Sequence, residues 1–143
     1  MKSKEFYSCT AWRWFSRYTL LYYSTDGAVQ CATSGRWYNC NSSKMHCGHL
    51  IKVFDSGAKT NNATAFDFRN VLPQCHQHNV HMGGNELKML EAIEKTHGKG
   101  TYEELKHKAR FAFRLDKVTL KEISDEYRLK FNELTKIKGN PWK

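Results

Sequence analysis

Between Lys44 and Asn85 the chain reads KMHCGHLIKVFDSGAKTNNATAFDFRNVLPQCHQHNVHMGGN, and five of its seven histidines fall in that stretch. Cys47, Cys75, Asn70 and Asn79 lie among them. Histidine and cysteine are the usual ligands of zinc, and imidazole is the usual base near neutral pH. Packed this densely, they mark a site rather than a core. The rest of the chain is then expected to hold this stretch in place and present it to a substrate.

Hydrophobic patterning divides the stretch. His49 to Phe54 (HLIKVF) is rich in branched apolar residues and predicts a strand. Asp55 to Thr64 is polar, contains Gly57 and predicts a loop of about ten residues. Ala65 to Phe68 alternates and predicts a second strand, leading into Asn70-Val71-Leu72-Pro73. A short helix is expected from about His76 to Met82, stopped by Gly83-Gly84. The order is strand, loop, strand, helix.

The flanks are largely helical. Trp14, Phe15, Tyr18, Leu21 and Tyr22 fall on one face of a helix over residues 11 to 24, ended by Thr25-Asp26-Gly27. Arg13 and Arg17 share another face, either as its solvated side or as phosphate contacts. Residues 28 to 40, with Cys31 and Cys40 flanking Ser34-Gly35, predict a short hairpin or knuckle before the polar break Asn41-Ser42-Ser43. Asn85 is placed to cap a helix running to about His97 and ended by Gly98. Thr101 to Glu104 and Thr119 to Glu122 read as capping boxes of two further helices, the second with Val118 and Ile123 as a hydrophobic staple. That last helix carries Leu120, Ile123, Tyr127, Leu134 and Ile137 on one face, with Phe131 beside them. Its remaining faces carry Lys121, Arg128, Lys130, Lys136 and Lys138, read as solvated.

At 143 residues a single domain over 1–143 is expected, with a core at about 28–85 and a helical extension at about 86–138. Lys plus Arg number 23 against 14 acidic residues, a net charge of +9, which suits a polyanion such as nucleic acid. Five cysteines cannot all pair within one chain. Met1 to Glu5 is polar and the apolar run after it is broken by Arg13 and Arg17, so no secretory signal is expected. No stretch approaches the ~20 apolar residues of a membrane span. A reducing, cytoplasmic setting is therefore expected, with cysteines as thiols or metal ligands.

Phosphodiester hydrolysis needs a base to activate water, a metal to hold the phosphate and its developing charge, and a group to orient the base. His46-Cys47-Gly48-His49, then Asn70, then Asn79 and His81 offer these on two strands and a helix. That order is the arrangement of HNH nucleases. Asn70-Val-Leu-Pro-Gln-Cys75 resembles the HNH signature in which Asn stands five residues before Cys, and Cys75-His-Gln-His78-Asn79 resembles its Cys-x-x-Cys-His/Asn continuation. HCGH, FDFRNVLPQC and HNVHMGGN together closely resemble the NinG/Rap family of lambdoid phage recombination endonucleases, which shows HxGH, RFDxRN, QCxxCN and GN at similar spacing. Phe15-Ser-Arg-Tyr18, Cys31-Ala-Thr-Ser-Gly35 and Thr101-Tyr-Glu-Glu-Leu105 extend the resemblance over roughly residues 12 to 137.

The resemblance implies an α+β fold: a ββα-metal (HNH) core with an N-terminal helix and a C-terminal helical hairpin. It implies a metal-dependent endonuclease acting on branched DNA such as Holliday junctions. By its motif His49 is the general base, Asn70 ties the strands and orients that base, and Asn79 is a ligand of catalytic magnesium or manganese. His46 is the second ligand or a structural hydrogen bonder. Imidazole leans towards manganese. His81 contacts phosphate or is simply exposed, and Lys52 with Arg13 and Arg17 completes the expected DNA contacts.

The chain departs from the family where members carry two Cys-x-x-Cys pairs for structural zinc. Here Ser34 replaces one ligand and His78 another, leaving Cys31, Cys75 and His78, with Cys40 as the candidate fourth by a different local fold and His76 as the weaker one. The alternative is a zinc-free knuckle packed around Trp37 and Tyr38. Cys9 and Cys47 are expected to be unliganded. Two other functions stay open: an HNH nuclease for ordinary duplex, and a non-catalytic zinc-dependent DNA-binding module. Symmetric cutting of a junction calls for two active sites, hence a homodimer, and the helical C-terminal third offers a dimer surface, a DNA clamp or plain packing.

Overall fold

The computed structural model describes residues 1–54, 62–111 and 113–143. Helices α1 (Ser3–Ser8) and α2 (Thr10–Tyr22) open the chain. The Cys9 thiol accepts from the Trp12 amide at 3.4 Å and caps α2. A first hairpin pairs β1 (Ala28–Gln30) with β2 (Trp37–Asn39), Val29 opposite Tyr38. A second antiparallel pair joins β3 (Met45–His49) to β4 (Val71–Cys75), in the register Met45 opposite Cys75 and His49 opposite Val71. Between them lie a single helical turn, α3 (Asn62–Ala65), and a 3₁₀ turn, Phe68–Asn70. A π-helical turn, Gln77–His81, follows β4. Helices α4 (Glu86–His97), α5 (Thr101–Ala109) and α6 (Lys117–Lys138) complete an α+β architecture. No helix among the described residues is long and apolar enough to cross a membrane.

All five residues of β4 are buried, because this strand touches three apolar clusters. Val71 joins Phe6, Trp12, Phe15 and Tyr127; Cys75 joins Leu20, Val29 and Met45; Leu72 joins Met89, Ile93 and Leu105. Each such aliphatic side chain contributes about 1.5–3 kcal/mol by leaving water. The α6 helix lies along α2, with Tyr127 edge-on to Phe15 at 4.8 Å and Phe131 tilted against Trp14 at 5.4 Å. The Lys138 ammonium donates to the carbonyls of Leu21, Tyr22 and Ser24, closing the C-terminus of α2 where carbonyls lack helical partners.

Several expectations shift. The strand predicted at His49–Phe54 lies at Met45–His49 instead, and His49 is its last residue. Leu50 and Val53 are buried without extending the ladder, since the Ile51 amide goes to the Asn70 side chain. Residues 65–68 are no strand: Asp67 accepts from the Arg69 amide at 3.0 Å and turns the chain into the 3₁₀ segment. Of the polar stretch 55–64, residues 55–61 lie outside the described residues. Neither predicted capping box forms. The Glu94 carboxylate of α4 takes the Gly100 and Thr101 amides, and Asp116 caps α6 by accepting from Thr119 at 2.8 Å. Asn85 is the N-cap of α4, as expected, but at φ 47° its side chain makes no capping hydrogen bond. Ile137, placed on the apolar face of α6, is 82% exposed. Lys138, read as solvated, is the cap just described.

Candidate functional site

The β3 strand brings His46 and His49 to one cleft of about 670 Å³, and the π-helical turn brings Asn79 to the same cleft. Lys52, just beyond β3, and Trp12 and Tyr7 from the N-terminal helices also line it. The π turn closes through the Met82 amide on the Gln77 carbonyl at 3.0 Å, one residue wider than an α-turn. Gly83 and Gly84 follow with φ of 59° and 87°, which reverses the chain over Lys52.

His49 is buried, and its ring stacks on Trp12 at 5.0 Å. Its Nε2 lies 2.9 Å from the Ala65 carbonyl. A carbonyl only accepts, so Nε2 carries the proton and Nδ1 keeps a free lone pair. Burial pushes its pKa down to about 4, against a smaller opposing effect of the Ala65 bond, and leaves the ring neutral at pH 7.

Asn70 is completely buried and holds the segment that holds His49. Its Oδ1 accepts from the Ile51 amide at 2.8 Å, and its Nδ2 donates to the carbonyls of Ile51 and Thr64 at 3.0 and 3.1 Å. Thr64 adjoins Ala65, the acceptor for His49. One amide thus couples the end of β3 to α3 and fixes the imidazole through it.

The Asn79 amide nitrogen lies 3.1 Å from His46 Nδ1 and donates to it. Burial, then the neighbouring His76, depresses the pKa of His46, against a smaller opposing hydrogen bond at Ser43. His76 stands edge-on between His46 and His81, 5.0 Å from each. The Asn79 amide takes the Nδ1 lone pair of His46, so the two side chains would serve a magnesium or manganese ion as imidazole and amide-oxygen ligands only once that hydrogen bond opens.

The knuckle residues also assemble. The Cys31 sulfur accepts from the amides of Cys75 and Ser34 at 3.1 and 3.3 Å, and the Cys75 thiol donates to the Ser34 hydroxyl at 3.7 Å. Burial raises the Cys31 pKa, but hydrogen bonds from Ser34, Thr33 and Cys75 outweigh it and bring the thiol to about 7. His78 Nδ1 meets the Thr33 hydroxyl at 2.8 Å. Cys40 turns away and donates to the Leu20 carbonyl at 3.9 Å. Cys31, Cys75 and Ser34 meet one another while His78 is held by Thr33, which leaves the set short of the four ligands that close a structural zinc site. Among the described residues no group of three or more His, Cys, Asp or Glu side chains is set to hold a metal ion.

Of the expected DNA contacts, Lys52 lines the cleft, whereas Arg13, Arg17 and His81 are not among its described lining residues. Arg13 and His81 are exposed, and the Arg17 guanidinium lies over the Trp142 ring at 5.4 Å. Cys47 is buried, and its thiol is pushed up to about 12, which makes it inert.

Pattern reading missed four contributors. Trp12 lies just outside the apolar stripe predicted for α2, and Tyr7 sits on a helix not expected at all. Gly48 is required because a Cβ there would collide with the Gln74 side chain and come within 3.2 Å of Met89. Gln74 braces the turn by donating to the Gly84 carbonyl and Thr33 hydroxyl at 2.6 and 3.1 Å. The small residue between two histidines was the one available signal.

Comparison with protein-family models gives no match to this chain, and comparisons with curated proteins and with solved structures give none either.

Proposed function

We propose that the chain is a metal-dependent DNA endonuclease of the HNH type, with β3, β4 and the π-helical turn as its ββα-metal core and branched DNA as its substrate. The observation that carries this is the convergence of His46, His49 and Asn79 on one cleft, with His49 Nδ1 free to accept a proton. The basic excess and the motif resemblance to NinG/Rap endonucleases support it.

In this mechanism His49 Nδ1 takes the proton of the attacking water while Nε2–H stays on the Ala65 carbonyl. Trp12, stacked on the ring, stabilises the imidazolium that forms. Asn70 is a positioning residue, acting through Thr64 and Ala65. His46 and Asn79 would hold magnesium or manganese, which supplies positive charge to the phosphate oxygens when bound. Lys52 contributes a further cation at the cleft wall. A two-fold branched substrate implies a homodimer with two such clefts, working in the cytoplasm where DNA is reached. The knuckle of Cys31, Ser34, Cys75 and His78 is read as hydrogen-bonded packing without zinc. Metal analysis near one zinc per chain would reverse that.

The test is cleavage of a four-way junction, a splayed fork and a linear duplex of one sequence, with magnesium, with manganese and with chelator. Metal-dependent cutting of the branched substrates is expected, falling about 10²–10⁴-fold in His49→Gln, the usual worth of a general base. Undiminished cutting by His49→Gln refutes the mechanism. Equal cutting of linear duplex makes the enzyme a general HNH nuclease, and tight binding without cutting makes it a binding module.

A further inference from the structure

A second groove of about 400 Å³ adjoins the cleft, and Lys52 lines both. Across it stand Tyr102, Lys106 and Arg110 from α5 and its C-cap, with Glu86 as the one carboxylate among the described wall residues. Lys106 and Arg110 against Glu86 make this side of the described wall basic. Lys106 lies over the Tyr102 ring at 5.0 Å and among the described residues is paired only with exposed Glu103 on its own helix, a contact of the kind worth little in water. Arg110 has no ion pair among the described residues. By contrast Lys108 and Arg69 are drawn off to Asp67, and Arg69 also to Glu104.

Two exposed aromatic residues follow Arg110 in the chain, and the Phe111 ring meets only the His107 ring, at 5.4 Å and nearly perpendicular, among the described residues. Phe111, next to Arg110, is 62% exposed, and Phe113 is 48% exposed. Neither ring packs into the apolar clusters. Cations that follow a backbone and aromatic faces left open beside them are the two elements of single-strand recognition. Phosphates pair with the cations in any strand, but a ring stacks only on a base that has left its own helix.

We propose that this groove is a second nucleic-acid subsite, which takes an unpaired strand adjoining the scissile phosphate. The strand passes from the cleft over Lys52, its phosphates meet Lys106 and Arg110, and a base stacks on Phe111. The inference rests on the nuclease reading and deepens it: the preference for branched substrates comes from the unpaired arm that this groove accepts, not from the cleft.

The test measures fluorescence anisotropy of a labelled fork with one unpaired arm, and of the matching full duplex, in chelator so that nothing is cut. The proteins are the wild type, Phe111→Ala, Lys106→Ala with Arg110→Ala, and Lys121→Ala with Lys136→Ala as a charge control on α6. Phe111→Ala is expected to weaken fork binding about ten-fold, the worth of one stacked base, and to leave duplex binding within about two-fold. The Lys106/Arg110 pair is expected to reduce the salt dependence of fork binding by about two units of slope, one per phosphate lost, with the control unchanged. If the wild type cuts DNA but these variants bind the fork as it does, this inference alone falls. If Phe111→Ala instead dissociates a dimer and leaves fork binding intact, the rings are an interface between copies and the inference falls too. A wild type that neither binds nor cuts overturns both readings.

Discussion

His49 makes the stability of this protein depend on pH in a calculable way. Its imidazole titrates near 6.5 in an unfolded chain and near 4 when buried against Trp12. Between those values the unfolded chain holds a proton that the folded protein does not, so stability falls as pH drops from about 6.5 towards 4. Relative to pH 7, the proton taken up on unfolding at pH 5 costs the folded state about 2 kcal/mol. His46 and His97 are also depressed by burial and act in the same direction, so the wild type by itself overstates the effect of His49. His49→Gln isolates it. The glutamine amide can still donate to the Ala65 carbonyl and does not titrate. Urea unfolding of both proteins at pH 7 and pH 5, in chelator, gives the comparison. The wild type is expected to lose about 2 kcal/mol more than His49→Gln over that interval. Equal losses would mean that the imidazole is not held neutral, and the case for a resting base with a free Nδ1 would go with it. Should the variant fail to fold, an NMR titration of the His49 ring in the wild type decides the same point, with a midpoint near 6.5 as the refuting result.

Asn70→Ala strands the Ile51 amide and two carbonyls in a dry site, and is expected to cost about 3 kcal/mol by urea unfolding; a loss under about 1 kcal/mol would show that the bracket is not needed. Gly48→Ala forces a methyl group against Gln74 and Met89 and is expected to cost about 1–3 kcal/mol, and an unchanged unfolding midpoint would contradict the packing described. Lys138→Met removes the ammonium that closes α2 and is expected to cost about 1 kcal/mol, read as a lowered thermal midpoint. Cys40→Ser is expected to leave the metal content of purified protein unchanged, because its thiol faces Leu20. A fall in bound zinc would instead place Cys40 among the ligands.

The helices were largely legible. The aromatic stripe of α2, the stop at Gly98, and the turn residues around the first hairpin are local properties, and a helix or turn follows from neighbours a few positions apart. The strands were not. MHCGH is a poor strand by composition, with a glycine and two histidines, yet it pairs, while the branched residues of LIKVF do not. β-propensity measures fit to a partner, and the partner here is the wholly buried β4. The caps failed for a related reason. Thr101 reads as a cap from its own four residues, but Glu94, on the preceding helix, reaches those amides first.

At the site, the sequence by itself determined the residue types: imidazoles, amides and thiols close together in the chain, and a glycine between two histidines. Tertiary structure decided what each could do. It made His49 a neutral ring with one nitrogen committed to Ala65, turned Asn70 into the bracket behind that carbonyl, set Asn79 against His46, and pointed Cys40 away from the knuckle. Protonation, tautomer and ligand geometry depend on burial and on partners supplied from distant positions along the chain, and no local pattern of residues encodes them.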